Sequence, residues 1–196
     1  MLFCKPAIKP DTLFEKEFDN GESISIRSLL LKKDLNILYS WVNEPYAHPF
    51  WNLNGSIEQL KHIYQQVLKN QDGHSYIITY DEQVVAQVDL YRVQSDDLGK
   101  HIKSSYDDCG MHLLMGPLKE RIPHLSRKVM QAFMSYYFSF QQAETLFAEP
   151  DIHNHKACRL LDKCGFGFVQ NIMLTQKAAS LYLMTRKKFY ATYPLA

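Results

Sequence analysis

The segment FAEPDIHNHKACRLLDKCGF, residues 147–166, decides the fold of this chain. It starts with a short apolar run, turns at Pro150, and continues from Asn154 in an amphipathic pattern that ends at Gly165. Asparagine is a favourable helix N-cap, and glycine is the residue that most often ends a helix. The apolar positions of the pattern fall on one helical stripe: Ala157, Leu160, Leu161 and Cys164. The segment therefore predicts a strand, a tight turn and a helix that packs against a sheet.

The rest of the chain alternates predicted strands and helices around this segment. Strands are expected at residues 23–27, 75–80, 84–93, 109–116, 144–149, 166–174 and 180–187. Helices are expected at residues 33–43, 56–70, 125–140 and 154–163, with an irregular loop at 44–55. This order predicts a mixed α+β or α/β fold. Its mostly antiparallel sheet has about seven strands, with helices on both faces. A lead-in, residues 1–21, precedes a single domain, residues 22–196.

Composition narrows the classes of function. The 196 residues carry 22 basic and 21 acidic side chains, a formal charge of +1, whereas a nucleic-acid binder needs a concentrated basic face. No apolar run approaches the length of a membrane span, and the N-terminus has charges where a signal peptide is apolar. The four cysteines and the histidines show no metal-ligand spacing. We therefore expect a cytoplasmic monomer that binds small molecules, without a metal.

A family resemblance rests on the deciding segment. Residues 147–166 resemble the acetyl-CoA-binding strand–helix unit of the GNAT superfamily of N-acyltransferases. The resemblance implies acetyl-CoA, or another acyl-CoA, as the acyl donor. It also implies that Asn154 lies near the thioester or the pantetheine arm. The interpretation without a family is a generic turn in which Asp151 and Asn154 are merely good helix caps.

Two further blocks narrow the resemblance. WVNEP at residues 41–45, followed by Phe50-Trp51, and GMHLLMG at residues 110–116 resemble signatures of siderophore-biosynthesis acetyltransferases of the aerobactin type. Together the three blocks extend the resemblance from about residue 24 to residue 189. It implies that an acyl group is transferred to the nitrogen of N-hydroxylysine or a hydroxylated diamine, giving a hydroxamate. The same wider group includes aminoglycoside N-acetyltransferases.

The resemblance also assigns candidate site residues. His112 is the expected proton acceptor, because an imidazole titrates near neutral pH, and Asp151 is expected to orient it or to hold the acceptor. A backbone N–H of Leu114 or Met115 would support the oxyanion. Aromatic rings can cover an acceptor and exclude water, and the two in the loop at 44–55 that would do so are Phe50 and Trp51. A buried structural histidine and a self-packed loop are the simpler alternatives.

The pyrophosphate loop departs from the usual family pattern. Most GNAT proteins have glycines before the helix that follows the central strand, but residues 121–127 here are RIPHLSR. Arg121, Ser126 and Arg127 are the candidates to hold phosphates by charge and by N-terminal amides. The alternative is an ordinary solvated helix start.

Three functions remain open at this stage. The leading hypothesis is N-acylation of a hydroxylamine in siderophore biosynthesis. The second is N-acetylation of an ordinary amine such as an aminoglycoside, whose cationic acceptor needs an acidic pocket. The available acidic residues are Glu44, Asp89, Asp96, Asp97, Asp107 and Asp108. The third is a non-catalytic acyl-CoA sensor, which the missing glycines favour and the presence of His112 opposes.

Overall fold

The computed structural model describes residues 12–194 of the chain. Its strands are β1 (Phe14–Glu17), β2 (Ser23–Ser28), β3 (Gly73–Tyr80), β4 (Gln83–Arg92), β5 (Cys109–Met115), β6 (Thr145–Ala148), β7 (Gly167–Met173) and β8 (Ala178–Thr185). Its helices are α1 (Leu31–Val42), α2 (His48–Trp51), α3 (Ile57–Lys69), α4 (Leu125–Ser139), α5 (His155–Lys163) and α6 (Arg186–Thr192). Two short 3-10 helices, Val93–Ser95 and Asp97–Lys100, lie within the long polar stretch after β4.

All the strands of this part of the chain form one sheet in the order β1-β2-β3-β4-β5-β6-β8-β7. The pairs β1–β2, β2–β3, β6–β8 and β7–β8 are antiparallel, whereas β5 and β6 are parallel. The predicted mixed, mostly antiparallel α/β fold is confirmed. The sheet has eight strands rather than about seven, because β1 lies inside the expected lead-in. Residues 1–11 of that lead-in lie outside the described residues.

The sequence analysis did not predict strand β1, because this strand is short and lies at the sheet edge. Phe14 is followed by three charged residues, and only the register with β2 defines the strand, for example Phe14 opposite Ile26. Edge strands often carry charged residues, which discourage pairing with other chains. A four-residue pattern of this kind gives too weak a periodic signal to predict a strand.

The described chain divides into two compact units. We call residues 12–89 and 113–123 the N-terminal unit, and residues 90–112 and 124–194 the C-terminal unit. Strands β4 and β5 each contribute residues to both units.

The N-terminal unit has a core formed by α1, α3 and strand residues. Its buried members are Leu29, Leu38, Trp41, Val42, Ala47, Leu60, Tyr64, Ile77 and Leu114. Helix α3 begins as predicted, with a capping box in which the Ser56 side chain accepts from the backbone N–H of Gln59. The interval 44–55 is not wholly irregular, because it contains α2. Pro49 lies in the first turn of that helix, where its missing N–H is not needed.

The C-terminal unit contains helix α6, which the sequence analysis missed. That analysis extended the last strand to residue 187, but β8 ends at Thr185, whose side chain accepts from the Lys188 N–H and caps α6. Phe189 is the buried residue of the helix and stacks on Phe138. One buried aromatic in seven residues gives little helical periodicity, and tertiary packing therefore decides the structure of this segment.

Helix α5 ends in a Schellman motif, as the glycine after it predicts. The N–H of Phe166 donates to the Leu161 carbonyl, and the N–H of Gly165 donates to the Asp162 carbonyl. Gly165 has a φ of +84°, a left-handed conformation that carries a steric cost for residues with a side chain. The chain is thereby turned from α5 into β7.

Replacing this glycine tests the motif. Gly165→Ala is expected to lower the free energy of unfolding by about 1–2 kcal/mol, because alanine is strained at this φ. Gly165→Asn is the matched variant and should lose less, since asparagine tolerates the left-handed region. Urea denaturation of the three proteins measures the difference. Equal stability of wild type and Gly165→Ala would contradict this account of the turn.

Candidate active site

Strands β5 and β6 separate after two paired positions. Their parallel register joins Cys109 to Leu146 and Gly110 to Phe147. His112 and Glu149 each stand two residues beyond Gly110 and Phe147. Residues two apart in an extended chain face the same side, so the two side chains leave the separating strands together. The sequence analysis predicted His112 as a proton acceptor, and His112 lies at this separation.

His112 and Glu149 form a short, charge-assisted contact there. His112 Nε2 lies 2.6 Å from Glu149 Oε1. The Glu149 side chain is 3% exposed, whereas the His112 side chain is 42% exposed. The carboxylate is therefore the buried, fixed partner, and the imidazole presents its other edge to the surface. Since Glu149 occupies Nε2, we assign the proton of the neutral imidazole to Nε2, and Nδ1 then carries the lone pair.

Two more side chains hold the Glu149 carboxylate. Tyr91 donates its phenolic O–H to Glu149 Oε2 at 2.7 Å, and Lys177 Nζ lies 3.7 Å from Oε1. The Tyr91 ring also packs beside the imidazole of His112, with the ring centres 4.9 Å apart. The four residues come from β4, β5, the end of β6 and the turn before β8. We call them the Glu149 cluster.

The cluster keeps the carboxylate ionised. Burial alone would raise the pKa of Glu149, but His112, Lys177 and the Tyr91 hydrogen bond outweigh it and lower that pKa to about 2. Burial and the Glu149 charge raise the pKa of Tyr91 well above its ordinary value, so the phenol remains a donor. The site therefore offers a fixed anion behind a solvent-facing imidazole, which is the arrangement of a general base and its orienting group.

The carboxylate that pairs with His112 Nε2 is thus Glu149, two positions before Asp151. Asp151 Oδ1 accepts from the backbone N–H of His153, and Asp151 forms an isolated bridge with Ala179. The side chain of Asn154 accepts from the Ala157 N–H, which is the N-cap contact of α5. Both residues therefore shape the turn between β6 and α5, whatever else they contact.

Cys109 is unsuited to nucleophilic catalysis. It is buried at the start of β5, and burial raises the pKa of its thiol to about 12. It also stands an odd number of positions from His112, and alternate strand residues face opposite sides. Neither its burial nor its position in β5 therefore favours a covalent acyl-enzyme on Cys109.

The start of helix α4 has the backbone that a glycine would adopt. His124, its N-cap, has a φ of +59° and makes no side-chain capping bond. Arg127 and Lys128 lie in the first turn, and both donate backbone N–H groups to the His124 carbonyl. The side chain of Arg127 is exposed and that of Ser126 is half-buried. An uncapped helix start with basic residues nearby favours an anion.

The remaining predicted residues belong to the N-terminal unit. Phe50 and Trp51 are half-buried in α2, and Trp51 packs against the core of that unit. Leu114 is buried in the same core, and the Met115 carbonyl accepts from the Tyr46 hydroxyl at 2.7 Å. Arg121 is exposed in the segment before α4.

Between residues 12 and 194, no cluster of three or more histidine, cysteine, aspartate or glutamate side chains is arranged to hold a metal ion. In the same part of the chain, no helix combines the length and the apolar character needed to cross a membrane.

Sequence reasoning missed three members of the Glu149 cluster. A glutamate at the end of the apolar run Phe147-Ala148 was a usable signal, because a buried carboxylate requires compensating partners. No comparable signal marked Tyr91 or Lys177, because their positions depend on which strands are neighbours in the sheet.

Comparison with known proteins agrees with the fold. The family model described as an acetyltransferase (GNAT) domain matches residues 31–174. An uncharacterised protein from Bacillus halodurans superposes with a TM-score of 0.86 at 26% identity, covering 93% of this chain and 95% of that one. An aminoglycoside acetyltransferase, AAC(6')-Ib, solved in complex with coenzyme A, superposes with a TM-score of 0.78 at 19% identity. That comparison covers 86% of this chain and 98% of the other, and it shows the fold alone.

Two curated relatives are also similar in sequence. The N-hydroxyputrescine acetyltransferase of Acinetobacter baumannii is 29% identical over 88% of this chain and 82% of its own length. The N(6)-hydroxylysine O-acetyltransferase of Escherichia coli is 24% identical over 76% of this chain, which spans about half, 48%, of that relative.

The chain belongs to the GNAT acetyltransferases. It is an acyl-CoA-dependent N-acyltransferase, with acetyl-CoA or another acyl-CoA as co-substrate and a small-molecule acceptor.

The Glu149 cluster predicts a specific effect of adding one methyl group. A Cβ at Gly110 would lie 2.1 Å from Tyr91 Cζ, so Gly110→Ala must displace that ring. We expect the free energy of unfolding to fall by about 1–3 kcal/mol, because the added methyl group overpacks the site. We expect activity to fall as well, because the displaced residue, Tyr91, donates the hydrogen bond to Glu149. Gly167→Ala is the control, since its Cβ would meet nothing closer than 3.4 Å. Urea denaturation and steady-state rates of Gly110→Ala and Gly167→Ala measure the two effects. Equal stability and equal activity of the two variants would contradict this prediction.

Proposed function

We propose that this enzyme transfers an acetyl group from acetyl-CoA to the hydroxylated nitrogen of a diamine or of lysine, forming a hydroxamate for siderophore biosynthesis. The contact between His112 Nε2 and Glu149 Oε1 carries the proposal, because it provides a positioned base where β5 and β6 separate. The names of the two curated relatives support the choice of acceptor. We place the reaction in the cytoplasm, with the enzyme acting as a monomer.

His112 is the group that accepts a proton in this proposal. The acceptor nitrogen would bond to the acetyl carbon as the carbon–sulfur bond of the thioester breaks, so that CoA leaves as a thiolate and then takes up a proton. The acceptor nitrogen would lose its own proton to Nδ1 of His112. Glu149 stabilises the resulting imidazolium through its fixed charge, and Tyr91 keeps the carboxylate in place. A hydroxylamine is much less basic than an alkylamine and arrives neutral, so a mild base suffices.

The other candidates keep supporting roles. We propose that Asp151 contacts the acceptor and that a backbone N–H of Leu114 or Met115 binds the developing oxyanion. Phe50 and Trp51 would pack on the methylene chain of the acceptor. When bound, acetyl-CoA supplies the acyl thioester. Its pyrophosphate would lie at the α4 start, held by amides and by Arg121, Ser126 and Arg127, and Asn154 would lie near the pantetheine arm.

The two alternative functions have less support. The aminoglycoside enzymes resemble this chain at 19% identity, which is evidence for the fold and not for the acceptor. A sensor without catalysis does not require a buried glutamate compensated by a histidine, a tyrosine and a lysine. The positive φ of His124 also counts against a lost coenzyme site, because the chain takes a glycine-like backbone there without a glycine.

Substitution of the base and its partner tests the assignment. With N-hydroxyputrescine or N-hydroxycadaverine and acetyl-CoA, His112→Ala should lower kcat/KM by about 10²–10⁴-fold. Glu149→Gln should cause a smaller loss of kcat/KM. Glu144 is an exposed carboxylate just before β6, so Glu144→Gln is the control and should cause no loss. CoA release measured with a thiol reagent gives these rates. Full activity of His112→Ala would exclude His112 as the base. The activity of Asp151→Asn shows separately whether Asp151 contributes to turnover.

The pH dependence separates an orienting carboxylate from a merely structural one. The folded pKa of Glu149 is lowered to about 2, so the carboxylate is ionised above that value and adds no limb to the profile near neutrality. An anion beside an imidazole favours its protonated form. Glu149→Gln should therefore move the acidic limb of kcat/KM to lower pH, compared with wild type on the same acceptor. An unmoved limb with reduced activity would mean that Glu149 only supports the fold.

A further inference from the structure

Three contacts within the N-terminal unit hold the chain where β5 ends. The Met115 carbonyl accepts from the Tyr46 hydroxyl at 2.7 Å. The N–H of Gly116 donates to the Val85 carbonyl at 2.8 Å. A Cβ at Gly116 would lie 2.3 Å from Cζ2 of Trp41, so the indole covers the backbone there. The peptide group that joins residues 115 and 116 is therefore fixed through both its carbonyl and its N–H.

The two ends of β5 show which edge of the strand each backbone group faces. The Asp108 carbonyl accepts from the Val93 N–H at 3.1 Å, and the Gly116 N–H donates to the Val85 carbonyl. Val85 lies in β4 and Val93 directly follows it, so both bonds are on the β4 edge. Asp108 and Gly116 are an even number of positions apart, as the alternation of a regular strand requires. Leu114 has the same parity, so its N–H faces β4.

Met115 directs its backbone groups to the opposite edge. The N–H and the carbonyl of one strand residue point to the same edge, so both groups of Met115 point away from β4. In the part of the chain that the structure describes, the register of β5 with β6 ends at Gly110. The Tyr46 hydroxyl binds the carbonyl of Met115 on this edge, and the N–H lies beside it. Strand geometry thus favours Met115 over Leu114 as a donor to a ligand.

The side chain of Tyr46 is suited to fixing this residue. Burial, followed by the charge of Glu44, raises the pKa of Tyr46 to about 12, so the phenol keeps its proton at neutral pH. That single proton is donated to the Met115 carbonyl. The bond keeps Met115 extended, and its N–H therefore keeps its direction. A donor that is oriented in advance stabilises a developing charge without first having to reorient.

We propose that Tyr46 is a positioning residue for acyl transfer, whose bond to the Met115 carbonyl keeps the Met115 N–H aimed at the carbonyl oxygen of the acyl thioester. This inference rests on the proposed function, because it concerns the acyl donor of that reaction. As the acceptor nitrogen bonds to the acetyl carbon, the carbonyl oxygen gains negative charge. It loses that charge again as the carbon–sulfur bond breaks and CoA leaves. Tyr46 acts through the peptide backbone rather than on the acyl group itself.

The kinetic test removes one hydroxyl. Tyr46→Phe keeps a ring that is already 40% exposed, so the variant should fold. Its kcat and kcat/KM for acetyl-CoA should both fall by about 10-fold or more, with KM unchanged, because a displaced donor is lost chiefly in the transition state. Tyr190→Phe is the matched control, since the Tyr190 hydroxyl donates to the Phe138 carbonyl at 3.1 Å in the C-terminal unit. An unchanged kcat of Tyr46→Phe, or an equal loss in Tyr190→Phe, would overturn the proposal.

A spectroscopic test requires no turnover. Acetyl-CoA labelled with ¹³C at the thioester carbonyl is bound without an acceptor, and infrared difference spectra report the carbonyl stretch. A hydrogen bond weakens the carbonyl bond, so the stretch should lie at lower frequency on wild type than in free acetyl-CoA. On Tyr46→Phe it should move back towards the free value, while the affinity measured by calorimetry stays the same. Tyr190→Phe should give the wild-type frequency. A purely structural role of Tyr46 would leave the frequency unchanged, and that result would contradict the positioning role.

The two tests together separate this inference from the proposed function. If no hydroxylamine is acetylated but Tyr46→Phe shifts the carbonyl stretch of bound acetyl-CoA, the proposed function fails and the positioning role stands. If wild type and Tyr46→Phe acetylate a hydroxylamine at equal rates and give the same stretch, the positioning role fails and the proposed function stands.

Discussion

The charge of Glu149 is the constraint on which the C-terminal unit depends. A carboxylate that is 3% exposed is stable only with opposite charge and hydrogen-bond donors close by. His112, Tyr91 and Lys177 provide these from three separate parts of the sheet. Strand order, register and the early end of the β5–β6 pairing must all be correct for the three to meet. The contacts that stabilise the buried Glu149 charge therefore also orient the imidazole of His112.

The same constraint explains a small residue at a crowded position. Gly110 is the last position of β5 paired with β6, and the Tyr91 ring occupies the space where a side chain would lie. The contrast is His124, where a backbone conformation typical of glycine is held by a residue with a side chain. Histidine is among the residues that tolerate this region, so helix α4 can begin with this backbone conformation without a glycine.

Much of the architecture followed from local pattern. The helix starting at Ser56, the turn at Asn154 and the left-handed Gly165 were predicted because their determinants lie within a few residues. Strand β1 and helix α6 were missed because each is short and is stabilised by distant partners, Ile26 for the first and Phe138 for the second. Local periodicity contains no information about such partners.

The sequence by itself determined the family and the acyl-CoA chemistry, and it identified His112 as a candidate site residue. All three follow from short blocks of neighbouring residues that occur in a fixed order along the chain. Only the tertiary structure decided which carboxylate pairs with His112 Nε2. Glu149 and Asp151 are two positions apart, and both precede α5. Their side chains differ in partners because Asp151 bonds to the turn at His153, whereas Glu149 remains beside the separating strand. Hydrogen-bond geometry across neighbouring strands is set by register and burial, which a linear pattern does not contain.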